Sequence, residues 1–376
     1  MLRRVVLFAL LILSPALLLA ADTTAAVDAA KVRRDDAAKI EWYDARVIGL
    51  EGQAFTDVKA PYDRLPARAE GKVRPPVWSL SQNSAGICVR FRTDSPTIHC
   101  QWTNTSSRLA MPHMPATGVS GVDLYVRDDK GTWRWLSIGQ PKEGTKHTAT
   151  LVEGLAKQDR DYCLYLPLYN GVSQVEIGVA EGSKIERLVR EEAKRLPIVF
   201  YGTSITQGGC ASRPGMVHTA ILGRRLNRPV INLGFSGNGK MEPEVTACIV
   251  DIEAAAYVID CLPNMTAAEV TANTAPLVAT LRKAHPNTPI VLAEDRTYSD
   301  AFLKRDRAER NTTSRATLQK IFAELQPNDK LLFYLPGEQQ LGSDGEDTVD
   351  GSHPTDLGFL RMADEFSKVL EPLLKK

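Results

Sequence analysis

The sequence predicts two domains, an antiparallel β-sandwich followed by an α/β domain built on a parallel sheet. From residue 40 to about residue 185, short strand-like runs are separated by turns containing Gly, Pro and Asp, without a long amphipathic helix. After residue 185, buried apolar runs alternate with helix-like stretches, the pattern typical of βαβ units with right-handed crossovers. The length of 376 residues also exceeds that of one ordinary hydrophobic core.

The first domain contains seven predicted strands, whose spacing is typical of a sandwich or jelly roll. They are residues 87–91, 97–102, 121–126, 132–136, 147–152, 162–166 and 174–179. The first two flank the turn at residues 93–96, so we expect them to form a hairpin. Cys88 and Cys100 could then face each other across it.

The cysteines do not indicate a metal site, because none forms a CxxC pair or lies near a partnered histidine. We expect most of them to be buried free thiols, and their disulfide pairing stays open. The six are Cys88, Cys100, Cys163, Cys210, Cys248 and Cys261.

The second domain contains five predicted buried strands, at residues 198–201, 229–234, 257–262, 289–293 and 330–335. Helices are expected at residues 216–226, 243–252, 267–284, 300–325 and 357–370. Residues 186–195 are charged and compatible with a helix, and we expect them to link the two domains. In such a sheet, ligands and chemistry belong at the carboxyl ends of the strands.

The N-terminus has the pattern of a secretory signal peptide. Arg3 and Arg4 precede an apolar run at residues 5–19, and small residues follow at the expected cleavage point, Ala20 or Ala21. The run is shorter than the about 20 residues that a membrane-spanning helix needs. We therefore expect an exported protein, periplasmic or extracellular, without stable membrane insertion. The expected plan is a signal peptide at 1–21, a weakly structured leader at 22–37, the sandwich at 38–185 and the α/β domain at 186–376.

The composition is that of an ordinary globular protein, with 43% hydrophobic and 24% charged residues. The net charge of +1 comes without a basic stripe. We therefore expect no nucleic-acid partner.

Ser204 is the candidate nucleophile, because it follows the first buried strand of the α/β domain in the run Gly-Thr-Ser-Ile-Thr. His353, in the loop before the last helix, is the candidate base, and Asp350 lies three residues earlier, where it can orient the ring. Loops that follow parallel strands emerge at one edge, so His353 can reach the hydroxyl of Ser204. Taken singly, the three residues could be a helix cap, a surface loop residue and a solvated acid. Their joint occurrence favours catalysis.

Two further strand ends offer donors for an oxyanion. They are the backbone N–H of Gly237 and the side-chain amide of Asn264, whose plainer interpretations are a flexible turn and a helix cap. Residues 294–296 (Glu-Asp-Arg) reach the same edge, where they could contact substrate, but we expect a salt-bridged loop. The other histidines lack a carboxylate at useful spacing and are interpreted as structural: His99, His113, His147, His218 and His285.

Four separated blocks resemble, in order, those of the SGNH (GDSL-type) hydrolase superfamily. They are Ser204 in Gly-Thr-Ser-Ile-Thr, Gly237 in Phe-Ser-Gly-Asn-Gly, Asn264 in Leu-Pro-Asn-Met and His353 in Asp-Gly-Ser-His-Pro. The similarity covers about residues 196–370. In this sequence Gly-Thr-Ser replaces Gly-Asp-Ser, and the third block lacks the usual Gly before and Asp after its asparagine.

The resemblance implies a flavodoxin-like three-layer fold for the second domain. It also implies Ser204 as nucleophile, His353 as base and Asp350 as the orienting acid. The oxyanion hole would consist of the N–H groups of Ser204 and Gly237 and the amide of Asn264.

Residues 121–125, Gly-Val-Asp-Leu-Tyr, resemble the GxDLY signature of a β-domain found in one bacterial subgroup of this superfamily. Members of that subgroup are secreted, and many look like carbohydrate O-acyl esterases. The resemblance implies a secreted serine ester hydrolase that removes acetyl or another short acyl group from a glycan or small-molecule ester. No metal or cofactor would be needed. Activity should fall as the pH drops through the histidine titration, near ~6.5 for an unperturbed ring.

Two other functions stay open at this point. One is a non-catalytic carbohydrate-binding protein that keeps the hydrolase scaffold. The other is a flavin- or phosphate-binding flavodoxin-like domain, in which residues 203–206 would cap a phosphate at a helix N-terminus. The second leaves Asp350 and His353 without a role. The acyl length, the alcohol and the oligomeric state also stay open.

Overall fold

The computed structural model describes residues 22–375. The predicted signal peptide at residues 1–21 lies outside the described residues. Among residues 22–375, no helix is both long and apolar enough to span a bilayer.

The first part of the chain forms a sandwich of two antiparallel sheets. Its strands are β1 (Thr23–Ala26), β2 (Arg33–Asp35), β3 (Ile40–Asp44), β4 (Leu50–Glu51), β5 (Cys88–Thr93), β6 (Ile98–Asn104), β7 (Val122–Arg127), β8 (Trp133–Gly139), β9 (Lys146–Val152), β10 (Arg160–Tyr165), β11 (Val172–Ala180) and β12 (Ile185–Val189). One sheet has the order β1-β12-β5-β10-β7-β8, with β4 beside β5, and the other has the order β2-β3-β11-β6-β9. Three short helices, α1 (Ala45–Ile48), α2 (Pro75–Ser81) and α3 (Ala116–Val119), lie in the connections. The predicted sandwich is confirmed.

The predicted hairpin between residues 87 and 102 is wrong, because its two strands lie in different sheets. β5 pairs with β10, β12 and β4, whereas β6 pairs with β11 and β9. Cys100 therefore packs between the sheets, while Cys88 lies in a separate cluster with Cys163. All six cysteines are buried free thiols. A turn between two strand-like runs has a similar sequence whether it closes a hairpin or crosses between sheets, so the pattern could not separate them.

Two expectations about the ends of the sandwich are also wrong. The leader at residues 22–37 contributes β1 and β2, which pair with β12 and β3. The charged stretch after residue 185 is not a helical linker, since its first part is β12, which is paired on both sides. Only Ile185 and Leu188 of β12 are buried. Two apolar residues are too few to reveal a strand by periodicity.

The α/β domain contains five parallel strands and six helices among the described residues. The strands are β13 (Ile198–Gly202), β14 (Val230–Gly234), β15 (Ala256–Asp260), β16 (Ile290–Ala293) and β17 (Leu332–Leu335). The helices are α4 (Ser204–Gln207), α5 (His218–Arg225), α6 (Pro243–Ile249), α7 (Ala267–Ala284), α8 (Arg305–Leu325) and α9 (Asp356–Leu374). The sheet order β14-β13-β15-β16-β17 is that of flavodoxin-like folds, as the resemblance implied.

Apolar cores cover both faces of the parallel sheet, and the sandwich part of the chain contributes to each. On one face, α6, α7 and α8 pack together with Phe55, Leu65 and Val77 from the long connection between β4 and β5. On the other face, α5 and α9 pack together with Met114 and Leu168. The two domains therefore share their hydrophobic cores.

Arg64, in the β4–β5 connection, links the two domains through hydrogen bonds in a site where its side chain is only 2% exposed. Its guanidinium donates to the carbonyls of Leu80 at 2.6 Å and Asn83 at 2.8 Å. It also donates to the carbonyls of Asn232 and Gly234 in β14, both at 2.9 Å. Burial lowers the pKa of Arg64 to about 9. The carboxyl end of β14 is thus held by a residue of the sandwich part of the chain.

The Arg64→Leu variant should lose about 3 kcal/mol or more of the free energy of unfolding, because four buried carbonyls lose their donor. Urea unfolding measures this loss. Arg68→Leu is the matched control, since Arg68 forms exposed ion pairs with Asp57 and Asp251 and should change stability by less than about 1 kcal/mol. Equal effects of the two substitutions would contradict the role given to Arg64.

Candidate active site

Ser204 stands at the sharp turn between β13 and α4, at the carboxyl edge of the sheet. Only glycine fits at position 202, because a Cβ there would lie 2.0 Å from Thr206 Oγ1. Thr203 caps α4 by accepting from the N–H of Ile205 at 3.3 Å. The backbone N–H of Ser204 opens the helix and therefore has no intrahelical acceptor. The turn leaves both the hydroxyl and this N–H of Ser204 available for chemistry.

The structure brings Ser204, His353 and Asp350 together in one chain of hydrogen bonds. Ser204 Oγ lies 2.9 Å from His353 Nε2, and His353 Nδ1 lies 2.8 Å from Asp350 Oδ2. Because Nδ1 faces a carboxylate, it carries the ring proton, and Nε2 is left to accept from the serine hydroxyl.

The carboxylate of Asp350 is kept ionised by its own loop. Its Oδ1 accepts from the backbone N–H groups of Ser352 at 3.0 Å and His353 at 2.8 Å. Burial would raise the pKa of Asp350, but the hydrogen bonds from His353 and Ser352 outweigh it and lower the pKa. An ionised carboxylate is the form that orients the ring and stabilises it when it is protonated.

Arg296, in the loop after β16, supports the loop that carries His353. Its guanidinium is buried, donates to the carbonyl of Ser352 at 2.9 Å and also binds the hydroxyl of Ser352. It forms an ion pair with Asp295. The expected salt-bridged loop at residues 294–296 is therefore present, and the sequence did not reveal that it holds the histidine loop.

The two expected oxyanion donors come from the loops that follow β14 and β15. Gly237 has a φ of +69°, and a Cβ on it would meet open space. Asn264 Oδ1 accepts from the N–H of Gly239 at 3.2 Å, so its NH₂ group is free to donate elsewhere. A Cβ on Gly239 would lie 2.0 Å from the carbonyl of Gly202. The loop after β14 can therefore approach the end of β13 closely only because residue 239 is glycine.

The Gly-Val-Asp-Leu-Tyr segment of the sandwich holds the loop that follows Ser204. The buried carboxylate of Asp123 accepts from Arg213 Nη1 at 2.9 Å and from the N–H of Gly215 at 2.8 Å. Arg213 also donates to the hydroxyl of Tyr125 at 2.5 Å. The signature residues of the sandwich thus act as a clamp on the segment between α4 and α5.

His113, which the sequence analysis interpreted as structural, lies beside His353. It lies in the loop between β6 and α3, is exposed, and its ring centre lies 6.1 Å from that of His353. The neighbouring Met114 is buried in the core of the α/β domain and fixes the loop there. A search for carboxylates nearby in the sequence could not find His113, because its neighbour is distant along the chain.

Asp260, the last residue of β15, is a second residue that the sequence did not single out. It accepts a hydrogen bond at 2.8 Å from Thr206 Oγ1, two residues after Ser204. Burial raises the pKa of Asp260 to about 7, although the bond from Thr206 and the charge of Arg296 oppose this. Its carboxyl group therefore ionises in the neutral pH range.

Within residues 22–375, no cluster of three or more His, Cys, Asp or Glu side chains could hold a metal ion. The arrangement at Ser204 is suited to nucleophilic attack on an acyl group by a hydroxyl that an imidazole deprotonates.

Comparison with known proteins agrees with this chemistry. Residues 195–371 match the family described as "GDSL-like Lipase/Acylhydrolase family", and residues 40–185 match the one described as "N-terminus of Esterase_SGNH_hydro-type". A crystal structure from Bacteroides ovatus, described as a GDSL-like lipase, is 35% identical with a TM-score of 0.83, and the alignment covers 89% of this chain and 98% of that one. The chain belongs to the GDSL-like lipase/acylhydrolase family and is a serine ester hydrolase. The resemblance to SGNH hydrolases with a GxDLY domain is confirmed.

More distant structures share the fold. The salicylyl-acyltransferase SsfX3 from a tetracycline biosynthetic pathway is 20% identical with a TM-score of 0.69, covering 92% of this chain and 98% of that one. The acetyl xylan esterase Est2A from the rumen bacterium Butyrivibrio proteoclasticus is 13% identical with a TM-score of 0.53, covering 89% of this chain and 99% of that one. No curated protein is similar enough to the chain to match it.

Replacing Asp260 by Asn should remove the part of the pH dependence of stability that comes from titration of the Asp260 carboxyl. Because the folded-state pKa of about 7 lies above the ordinary 3.8, the protonated carboxyl stabilises the fold fully below pH ~4. This contribution is lost as the pH rises towards 7. Thermal unfolding midpoints measured from pH 4 to pH 8 should therefore fall more steeply for the natural protein than for Asp260→Asn. Asp364→Asn, at an exposed position, is the control and should follow the natural protein. Parallel curves for all three proteins would be evidence against a raised pKa.

Proposed function

We propose that the protein is an exported O-acyl esterase that removes acetyl or another short acyl group from a carbohydrate, with Ser204, His353 and Asp350 as its catalytic triad. The single observation that carries the proposal is the unbroken hydrogen-bond chain from Ser204 Oγ through the imidazole of His353 to the carboxylate of Asp350.

In the proposed mechanism, Ser204 Oγ attacks the acyl carbon while His353 Nε2 takes the hydroxyl proton. The negative charge on the carbonyl oxygen is stabilised by the N–H groups of Ser204 and Gly237 and by the amide of Asn264. His353 then gives its proton to the leaving alcohol, and an acyl-enzyme remains on Ser204. Water, deprotonated by the same histidine, releases the acid and restores the serine.

The carbohydrate part of the proposal draws on three features. The distant structures that share the fold include an acetyl xylan esterase, and that substrate is a property of the other protein. His113, a polar side chain from the sandwich part of the chain, is exposed and lies beside His353, where we expect it to contact the sugar that carries the ester. The signal-peptide pattern at residues 1–21 favours export, and polysaccharide esters are encountered outside the cytoplasm.

Substitution of Ser204 by Ala should lower kcat for an aryl acetate at least about 10³-fold, because the nucleophile is lost. The variant should also fail to react with a fluorophosphonate probe, while its thermal midpoint stays close to that of the natural protein. Ser173→Ala, at an exposed serine of the sandwich, is the control and should keep both activities. Unchanged hydrolysis by the Ser204 variant would eliminate the proposed nucleophile, and an unreactive natural protein would support a non-catalytic function.

Acetylated xylo-oligosaccharides should be deacetylated with a higher kcat/KM than 4-nitrophenyl esters of long-chain acids. His113→Ala should raise KM for the sugar esters several-fold and leave KM for 4-nitrophenyl acetate nearly unchanged, because the small aryl ester needs no contact with the sandwich loop. The control is His99→Ala, because His99 lies on the face of β6 that points away from the sandwich core. A clear preference for long-chain esters, with no release of acetate from the sugars, would contradict the carbohydrate assignment.

A further inference from the structure

A polar cavity lies between the two domains, away from the edge of the sheet that carries Ser204. One side is lined by β5 and β10 of the sandwich, and the other by α5 and by Val230, the first residue of β14. Ser204 follows the opposite, carboxyl end of the neighbouring strand. The volume of the cavity is about 20 Å³, which is room for one particle the size of a water molecule.

The cavity carries an excess of positive charge. Among the described residues, Glu51 is the only acidic residue that lines it, whereas four arginines do: Arg90, Arg190, Arg224 and Arg228. Glu51 forms an ion pair with Arg190 at 2.7 Å. Arg90 forms an ion pair with Asp22, which does not line the cavity. Within residues 22–375, neither Arg224 nor Arg228 has a carboxylate within 4 Å. Burial would raise the pKa of Glu51, but the charges of Arg190 and Arg90 outweigh it and lower the pKa to about 2.

Three of the guanidinium groups also have buried N–H groups without a hydrogen-bond partner among the described residues. These are Arg90 Nη1, Arg224 Nη1 and Arg228 Nε. The side chain of Arg90 is 3% exposed and the residue Arg228 is 8% exposed, so bulk water does not reach them. Arg90 Nη1 forms only a long ion pair with Glu51 Oε2, at 3.5 Å. Charged donors in this condition are unfavourable unless an acceptor occupies the space between them.

Other donors of Arg224 and Arg228 are already used. Arg224 Nη2 donates to the carbonyl of Gly215 at 2.8 Å, and its guanidinium stacks 3.9 Å from the ring centre of Tyr125. The two Nη groups of Arg228 donate to the carbonyls of Leu196 and Leu374, both at 3.4 Å. The unpartnered nitrogens are therefore the atoms left to bind something in the cavity.

The geometry points to a halide-binding site in this cavity, occupied by chloride. Arginine N–H groups predominate among the polar groups that face it, beside the hydroxyls of Tyr165 and Thr219, and the oxygens of Glu51 already accept from Arg190. A halide accepts only, and its charge offsets the uncompensated arginines. Among anions, a monatomic halide needs the least of the limited space in this cavity of about 20 Å³.

The site would stabilise the packing of the two domains. Arg90 belongs to the sandwich, whereas Arg224 and Arg228 belong to the α/β domain, so one ion would attract groups from both sides. Through Gly215, Arg224 also binds the loop that Asp123 holds. The halide takes no part in ester hydrolysis, and its effect should be on stability.

The test is the thermal unfolding midpoint, measured while sodium chloride or bromide replaces sodium gluconate at constant ionic strength. The midpoint should rise in a saturable way, by about 2 °C when the halide reaches tenfold its Kd. Arg224→Met should lose this rise. Arg225→Met, at the adjacent exposed arginine that pairs with Asp364, should keep it.

Crystals grown in sodium bromide provide a second, independent readout. Anomalous density for bromide between Arg90 and Arg224 would support the site, and its replacement by a water molecule or by empty space would overturn it. A midpoint that does not respond to halide in the natural protein would overturn it as well. If Arg224→Met does not fold, these two measurements on the natural protein decide the question.

Discussion

The buried carboxylate of Asp123 is the contact on which the arrangement around Ser204 depends. Ser204 begins a helix of only four residues, and a helix this short has little stability of its own. The segment that follows it is held by Asp123, which binds both Arg213 and the N–H of Gly215. Because Asp123 is fully buried, these bonds are shielded from water and from salt. The sandwich is in this respect a structural part of the site.

Ser204 and His353 are supported from different sides. The serine turn is held by the sandwich, whereas the histidine loop is held within the α/β domain by Arg296 and by the carboxylate of Asp350. The two segments meet because all five strands of the sheet are parallel and their carboxyl ends share one edge. The distance of 2.9 Å between serine and imidazole therefore depends on the register of the sheet and on both sets of supporting contacts.

The sequence predicted the parts of the molecule that depend on local signals. The five parallel strands are continuous apolar runs, and the blocks around Ser204, Gly237, Asn264 and His353 are short motifs. The parts it did not predict depend on partners far along the chain. β1 and β12 are short strands that exist because they pair with each other, and the crossing from β5 to β6 depends on which sheet each strand joins. His113 and Arg64 acquire their roles only when the two domains pack, and Asp260 acquires its role when β13 and β15 pair within the α/β domain, so no local pattern distinguishes them.

The connection between β4 and β5 has a consequence for how the polypeptide is made. It carries Phe55, Leu65 and Val77, whose apolar neighbours are encoded more than a hundred residues later. While the chain emerges from the ribosome, these side chains lack most of their native partners until the α/β domain follows. On its own, the N-terminal half would therefore expose these side chains to water. Fragments made from a truncated or recombined gene would each expose an apolar surface that promotes aggregation.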